Sequence, residues 1–312
     1  MSVSNLKKGI NDIAYIKKTF YLIHDLLKKR CRSKVAQEVY NILEEYNLLK
    51  LETTTKLNLV KVYPLLSDIY EKYRFKNKKL RFVDFNQGID ARYITEEKMK
   101  LLSEIPIRPL RIAFDDIRLT DKYIKSVKLA VKCDIKNISN YLLYNYTDTP
   151  DDLYQRLKTN VNLCEQLDVY IYSFPMKYIP INGDFSKSRN FLGKYWNKKF
   201  IRAIQAILNA TKGKVGRGES FFFEKAFGKN IGEFHELLYM PETYIVYRKI
   251  SEELGYTQKW RNAYGKLTEK EKEIANKIIE TNDFSNYHLK TNNKKILNVL
   301  EHYTIRKVDI RV

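Results

Sequence analysis

Four short apolar runs in the middle of the chain each end in polar side chains. LRFVDF is followed by Asn86, Gln87, Asp90 and Arg92. PLRIAF is followed by Asp115 and Asp116, and NYLLY by Asn145, Thr147, Asp148 and Thr149. The run DVYIYSFPMKYIPI carries Met176, Lys177 and Tyr178. Amides and carboxylates just beyond a buried strand are suited to hydrogen-bonding a polar small molecule. In parallel βα folds such residues collect at the C-terminal strand ends, where the loops share one cleft. The competing reading is that they cap helices and close turns. Asp148-Thr149-Pro150 starts a helix whatever else it does. Asn86-Gln87-Gly88, followed by Asp90 and Arg92, holds more polar equipment than a turn needs, which predicts ligand contact there.

Other chemistry finds less support. His24, His235, His288 and His302 are scattered through helical patterns, and Cys31, Cys133 and Cys164 are far apart and odd in number. Neither set has metal-ligand or disulfide spacing, so no metal site is predicted. H-E-x-x-H, P-loop and G-x-S-x-G motifs are absent. KGKVGRG resembles a phosphate-cradling loop but lacks the strand–loop–helix context, and reads as a basic loop.

The elements that must position these residues follow from hydrophobic period. Residues 1–79 read as a helical N-terminal region: IAYIKKTFYLIHDLL, KVAQEVYNILEEYNLL and LVKVYPLLSDIYEKY are amphipathic, with Pro64 near the start of the third. LKLETTT could form a short strand between them. Residues 80–181 alternate strand and helix at roughly 30-residue intervals, which predicts βαβ units and a parallel sheet of about four strands. The intervening helices are TEEKMKLLSEI, DKYIKSVKLAVKC and TPDDLYQRLKTNVNLCEQL, with Thr95 and Thr149 as N-caps. Residues 182–312 form a basic, mainly helical C-terminal region. The fold class is therefore α/β.

The 312 residues carry a net charge of +20. Such an excess attracts polyanions: nucleic acid, anionic lipid or an acidic partner. The abundance of Lys, Asn, Ile and Tyr also fits an AT-rich coding bias acting on neutral surface positions. Residues 182–231 hold eleven Lys and Arg against three acids, among Phe185, Phe191, Tyr195, Trp196 and Phe221–Phe223. If these aromatics are exposed, they would stack on bases while Lys194, Lys198, Lys199 and Arg202 contact phosphates; if not, they are core. No apolar run reaches the ~18 residues of a membrane span, and the N-terminus does not read as a signal peptide, so a cytoplasmic location is expected.

FVDFNQGIDARYITEEKMKLLSEIPIRPLRIAFDD, YLLYNYTDTPDDLYQRL and YSFPMKYIPI together resemble the second half of the radical S-adenosylmethionine barrel, with DFNQGIDAR pointing to an uncharacterised branch of that superfamily. The resemblance covers residues 80–181, about a third of the chain, and the block NFLGKYWNKKFIRAIQAILNATKG…FFEKAFGK…ELLYMPETYIVYR, similar to the C-terminal region of that branch, extends it to about residue 248. It implies a partial βα barrel and a site for S-adenosylmethionine. Asn86, Gln87, Asp90 and Arg92 would match ribose contacts. Asp115 would lie near the adenine, and Asn145, Thr147 and Asp148 would close over it. Asp116, Met176 and Tyr178 would face substrate. The superfamily's C-x-x-x-C-x-x-C motif, which ligates a [4Fe–4S] cluster, is missing, as is its glycine-rich stretch. The resemblance thus implies a truncated or split enzyme that supports radical chemistry only with a cluster held elsewhere. A four-stranded parallel half-sheet leaves an open edge. The N-terminal helices, a second copy, or a partner chain carrying the cysteine half would cover it.

Overall fold

The computed structural model describes residues 12–30, 33–73, 81–215 and 220–310. Cys31, Leu80 and part of the KGKVGRG loop lie outside the described residues. The chain divides into two compact units, residues 1–80 and 81–312.

The first unit is three helices: α1 (Asp12–Arg30), α2 (Ser33–Glu45) and α3 (Lys56–Tyr73). Leu43, Leu48, Leu59 and Val62 are its buried centre. LKLETTT forms turns and no strand, because Thr53 and Thr54 hydroxyls donate to the Lys50 carbonyl and fold the segment back on itself. Pro64 lies in the interior of α3 rather than near its start.

The second unit is built on four parallel strands in sequence order: β1 (Ile89–Asp90), β2 (Leu110–Ala113), β3 (Asn137–Tyr144) and β4 (Tyr170–Lys177). Helices α4 (Glu96–Ser103), α5 (Thr120–Lys132) and α6 (Pro150–Leu167) fill the three crossovers. Sequential right-handed crossovers put all three on one face of the sheet. The first apolar run behaves differently from the sequence reading. Val83 forms a single bridge to Ile107, and Gly88, at φ +76°, turns the chain so that the strand itself starts at Ile89. Asn86 and Gln87 therefore precede the strand instead of following it.

Side chains alternate across the sheet. Leu110, Ile112, Phe114, Ile138, Leu142 and Ile171 are buried, in one core with Val127, Leu153 and Leu157 of the crossover helices. A polar relay runs through this layer. Asn140 of β3 donates to the Tyr123 hydroxyl of α5 at 2.7 Å, Tyr123 donates to Asn160 of α6 at 2.8 Å, and Asn160 donates to Ser173 of β4 at 3.0 Å.

The remaining helices are α7 (Lys198–Ala210), α8 (Ser220–Phe227), α9 (Ile231–Tyr239), α10 (Glu242–Val246), α11 (Arg248–Glu253), α12 (Tyr256–Gly265), α13 (Glu269–Glu280), α14 (Lys294–Glu301) and α15 (Lys307–Ile310). They share one hydrophobic core with the strands and crossovers, so the unit continues without a break past residue 181. Helices α10 and α11 are separated only by Tyr247.

Candidate functional site at the strand ends

The ends of β1 and β2 are built alike. Asp90 accepts the Arg92 backbone N–H at 2.9 Å, and its carboxylate takes Arg92 Nε at 2.9 Å and Nη2 at 2.6 Å. Asp116 holds Arg118 in the same way, with Nε at 3.0 Å and Nη2 at 2.6 Å. Each Asp caps a 3-10 turn, and each guanidinium holds its carboxyl below the usual carboxylate range. Asp90 and Asp116 are thus engaged by their own arginines, while Arg92 and Arg118 keep exposed N–H groups. Asn86 accepts the Tyr141 hydroxyl at 3.2 Å, and Gln87 is exposed.

Beneath this rim lies Arg156, which sequence reading missed because it sits within an amphipathic helix. Its guanidinium is fully buried. It donates to the carbonyls of Asp152, Phe114 and Leu143 at 3.2, 3.1 and 2.9 Å, and to the Asp148 carboxylate at 2.9 Å. Arg156 therefore ties the ends of β2 and β3 to the start of α6. Burial raises the Asp148 carboxyl and lowers the Arg156 guanidinium, while each partner's charge opposes that shift. Thr149 and Asp152 complete a reciprocal capping box directly above.

Asn145, expected against the adenine, is buried and occupied within the chain. Its Nδ2 donates to the carbonyls of Tyr178 and Phe191 at 3.3 and 3.0 Å, and its Oδ1 accepts the Gly193 N–H at 2.9 Å. It staples the loop after β4 onto the end of β3, with its own φ at +73°. The loop passes so close that a Cβ at Gly193 would lie 2.4 Å from the Tyr146 carbonyl oxygen. These bonds leave its amide no N–H for a ligand, which corrects the expectation.

What the rim leaves open is narrower than the sequence reading. Asp115 accepts the Leu143 N–H on Oδ1 at 2.9 Å, and no arginine closes its carboxylate. The residue is open at the surface, yet the protein packed around its carboxyl raises it above the usual range. Thr147 is exposed, and so is Met176. The Tyr146 and Tyr178 rings pack with centroids 4.5 Å apart and planes tilted by 46°. On the sheet face away from the helices, Arg111 pairs with Asp84 at 2.8 Å and lies 5.4 and 5.6 Å from the Tyr141 and Phe174 rings. Asp115 and the Tyr146–Tyr178 pair thus lie at the strand ends, while Arg111 sits further down the sheet, in register with Ser139 of β3.

The basic segment after β4 differs from its sequence reading. Lys199 is fully buried and donates to the Met240 carbonyl at 2.6 Å, so it is unavailable to a phosphate. Arg202 closes bidentately on Glu242 at 3.0 and 2.7 Å. Trp196 and Phe223 are core, and Trp196 donates to the Asp148 carbonyl at 2.8 Å. Lys194 and Lys198 are exposed, with Phe185, Tyr195 and Phe221.

Among the described residues, the two cysteines do not fit a cluster of the superfamily's kind. Cys133 caps the end of α5, and Cys164 is buried in α6 with its thiol raised by burial and its Sγ 4.0 Å from the Ile171 carbonyl. Among the described residues no three His, Cys, Asp or Glu side chains converge as a metal site. Nor is any helix there long and apolar enough to cross a membrane. Compared with family models, curated proteins and solved structures, the chain matches none.

Proposed function

We propose that the C-terminal rim of the β1–β4 sheet is part of an incomplete βα barrel that binds S-adenosylmethionine. The observation that supports this is Asp115. Of the aspartates at the first two strand ends, it alone is not closed by an adjacent arginine, and a strand N–H fixes the carboxylate with acceptor capacity to spare. A carboxylate so placed suits a ribose diol, as the acidic residue of dinucleotide folds does. The tyrosine pair Tyr146–Tyr178 offers a π-face for the adenine, and Met176 adds apolar surface beside it. Asp116, Asp148 and Arg156 hold the strand ends in place. No redox step is assigned to this chain, because its sequence lacks the C-x-x-x-C-x-x-C spacing and Cys133 and Cys164 do not fit a [4Fe–4S] cluster. Radical chemistry would need that cluster on a partner polypeptide.

Calorimetric titration of the purified chain with S-adenosylmethionine tests the reading. Binding is expected, with Asp115→Asn weakening it about ten-fold, the loss of one charge-assisted hydrogen bond. The absence of binding by the wild type overturns the proposal. Equal affinity in wild type and variant removes Asp115 from the site.

A further inference from the structure

The exposed cations that sequence reading placed in the 182–231 segment are better organised on α5. The buried side of this helix is Tyr123, Ser126, Val127 and Ala130. Its other side carries Lys122, Lys125, Lys128 and Lys132, all exposed. At 3.6 residues per turn the four fall within an arc of about 120°. Lys132 pairs with Glu96 at 2.9 Å, and Glu96 is shared with Lys100 at 3.6 Å. Among the described residues Lys125 and Lys128 have no ion pair. Besides Glu96, Asp121 on the helix itself and Asp90, whose carboxyl feels Lys122, temper the stripe. Arg118, in the 3-10 turn just before the helix, is highly exposed and paired with Asp116. Between the lysines, Ile124 and Leu129 floor a shallow groove of ≈360 Å³.

We propose that this face of α5 docks on the phosphate backbone of a nucleic-acid duplex. Three observations carry it. The charge is complementary, locally and in a chain of net charge +20. The spacing matches: ten residues at 1.5 Å each separate Lys122 from Lys132 by about 15 Å. That is about the axial rise of four phosphate-to-phosphate steps on one strand, at ~3.4 Å each. The stripe also presents no exposed aromatic ring, since Tyr123 is turned into the core. Base stacking is therefore not available to it, and a paired duplex, whose bases are already stacked, loses nothing by that. Contact is sequence-independent and electrostatic. This surface is separate from Asp115 and does not depend on S-adenosylmethionine binding.

The test is fluorescence anisotropy of a labelled mixed-sequence duplex of about 20 base pairs, titrated with the full chain from ~50 to ~200 mM salt. Wild type is expected to bind with affinity falling steeply over that range. The fourfold variant Lys122→Gln, Lys125→Gln, Lys128→Gln and Lys132→Gln should lose at least ten-fold in affinity at low salt. Its slope of log K against log salt should be shallower by about 3 to 4. Gln and Lys have similar helix propensity, so the melting temperature should stay put. If it drops, the pair Lys125→Gln and Lys128→Gln, which touches no ion pair, gives the same reading with about half the change in slope. No binding by wild type at ~50 mM salt overturns the proposal. So does an unchanged slope in the variants, or a preference for phosphatidylserine vesicles over the duplex.

Discussion

Single residues in this molecule show how burial and pairing decide what a side chain is for. Asp90, Asp116 and Asp115 are the same residue type at neighbouring strand ends. The first two are neutralised by arginines two positions on, and only Asp115 keeps a carboxylate for something else. Lys199 makes the same point in reverse. Its ammonium is buried, bonded to one carbonyl and 6.0 Å from the Tyr303 ring, and burial lowers it from 10.5 to about 7. Glu242 works against that shift and Arg202 with it. The unfolded chain therefore binds more protons than the folded one between pH 7 and about 10.5, so stability rises with pH across that window. The cost is fully present below pH 7 and gone above about pH 10.5. Replacing Lys199 with Met abolishes this contribution. The stability of the variant relative to wild type, from urea unfolding, should be most favourable near pH 7 and decline steadily toward pH 10. Loss of the bond to Met240 shifts the whole curve down without changing its slope, so the slope is the readout. A difference that stays flat with pH would show that Lys199 does not titrate in this range.

At the scale of elements, the parts that were legible in the sequence are those with short-range signatures. Thr149-Pro150-Asp151-Asp152 and Thr268 with Glu271 form the two reciprocal capping boxes, and each marks its helix start to the residue. The three crossover helices and β2 to β4 follow from hydrophobic period. The first strand was misplaced because its sheet residues, Ile89 and Asp90, are only two, and a longer apolar run before them forms one bridge. Arg156 and Asn145 were hidden or misassigned because their partners lie up to 48 residues away and are mostly backbone carbonyls, which leave no mark on a sequence. The relay Asn140–Tyr123–Asn160–Ser173 is hidden for the same reason, yet it joins β3, α5, α6 and β4. Its middle hydroxyl both accepts and donates inside a buried layer. Tyr123→Phe keeps the stacking on Phe114, whose ring centroid is 4.2 Å away, and leaves Asn140 and Asn160 each short of a partner. The expected cost is about 1–3 kcal/mol, read as a lower urea midpoint at unchanged m-value. A variant as stable as wild type would mean that water replaces the hydroxyl.

For the whole molecule, the two compact units have cores with no residue in common. The core of the first centres on Leu43, Leu48, Leu59 and Val62, and that of the second runs from Ala91 to Ile310. The second contains every strand among the described residues, the Asp115 rim and the lysine face of α5. A unit with its own core is the usual unit of cooperative folding. Residues 81–312 expressed alone should therefore be soluble and unfold in a single cooperative transition. The boundary at 181 behaves differently, because Trp196, Phe200 and Phe223 share a core with Leu153 and Tyr154 on its other side. Tyr154 packs on the Phe223 and Phe234 rings with centroids 5.3 and 5.1 Å away, and its hydroxyl donates to the Gly228 carbonyl at 3.0 Å. Ending the fragment at 181 strips these contacts from α6 and leaves the Tyr154 hydroxyl and a large apolar face unpartnered, so residues 81–181 should aggregate or remain unfolded. Circular dichroism melts of the two fragments separate the cases. If 81–181 folds alone, the helices after β4 are an accessory rather than part of the core. If 81–312 fails to fold while the full chain is stable, the first 80 residues take part in its folding. If 81–312 folds, it can be titrated directly, and retention of both S-adenosylmethionine and duplex binding would place the two proposed activities in this one unit.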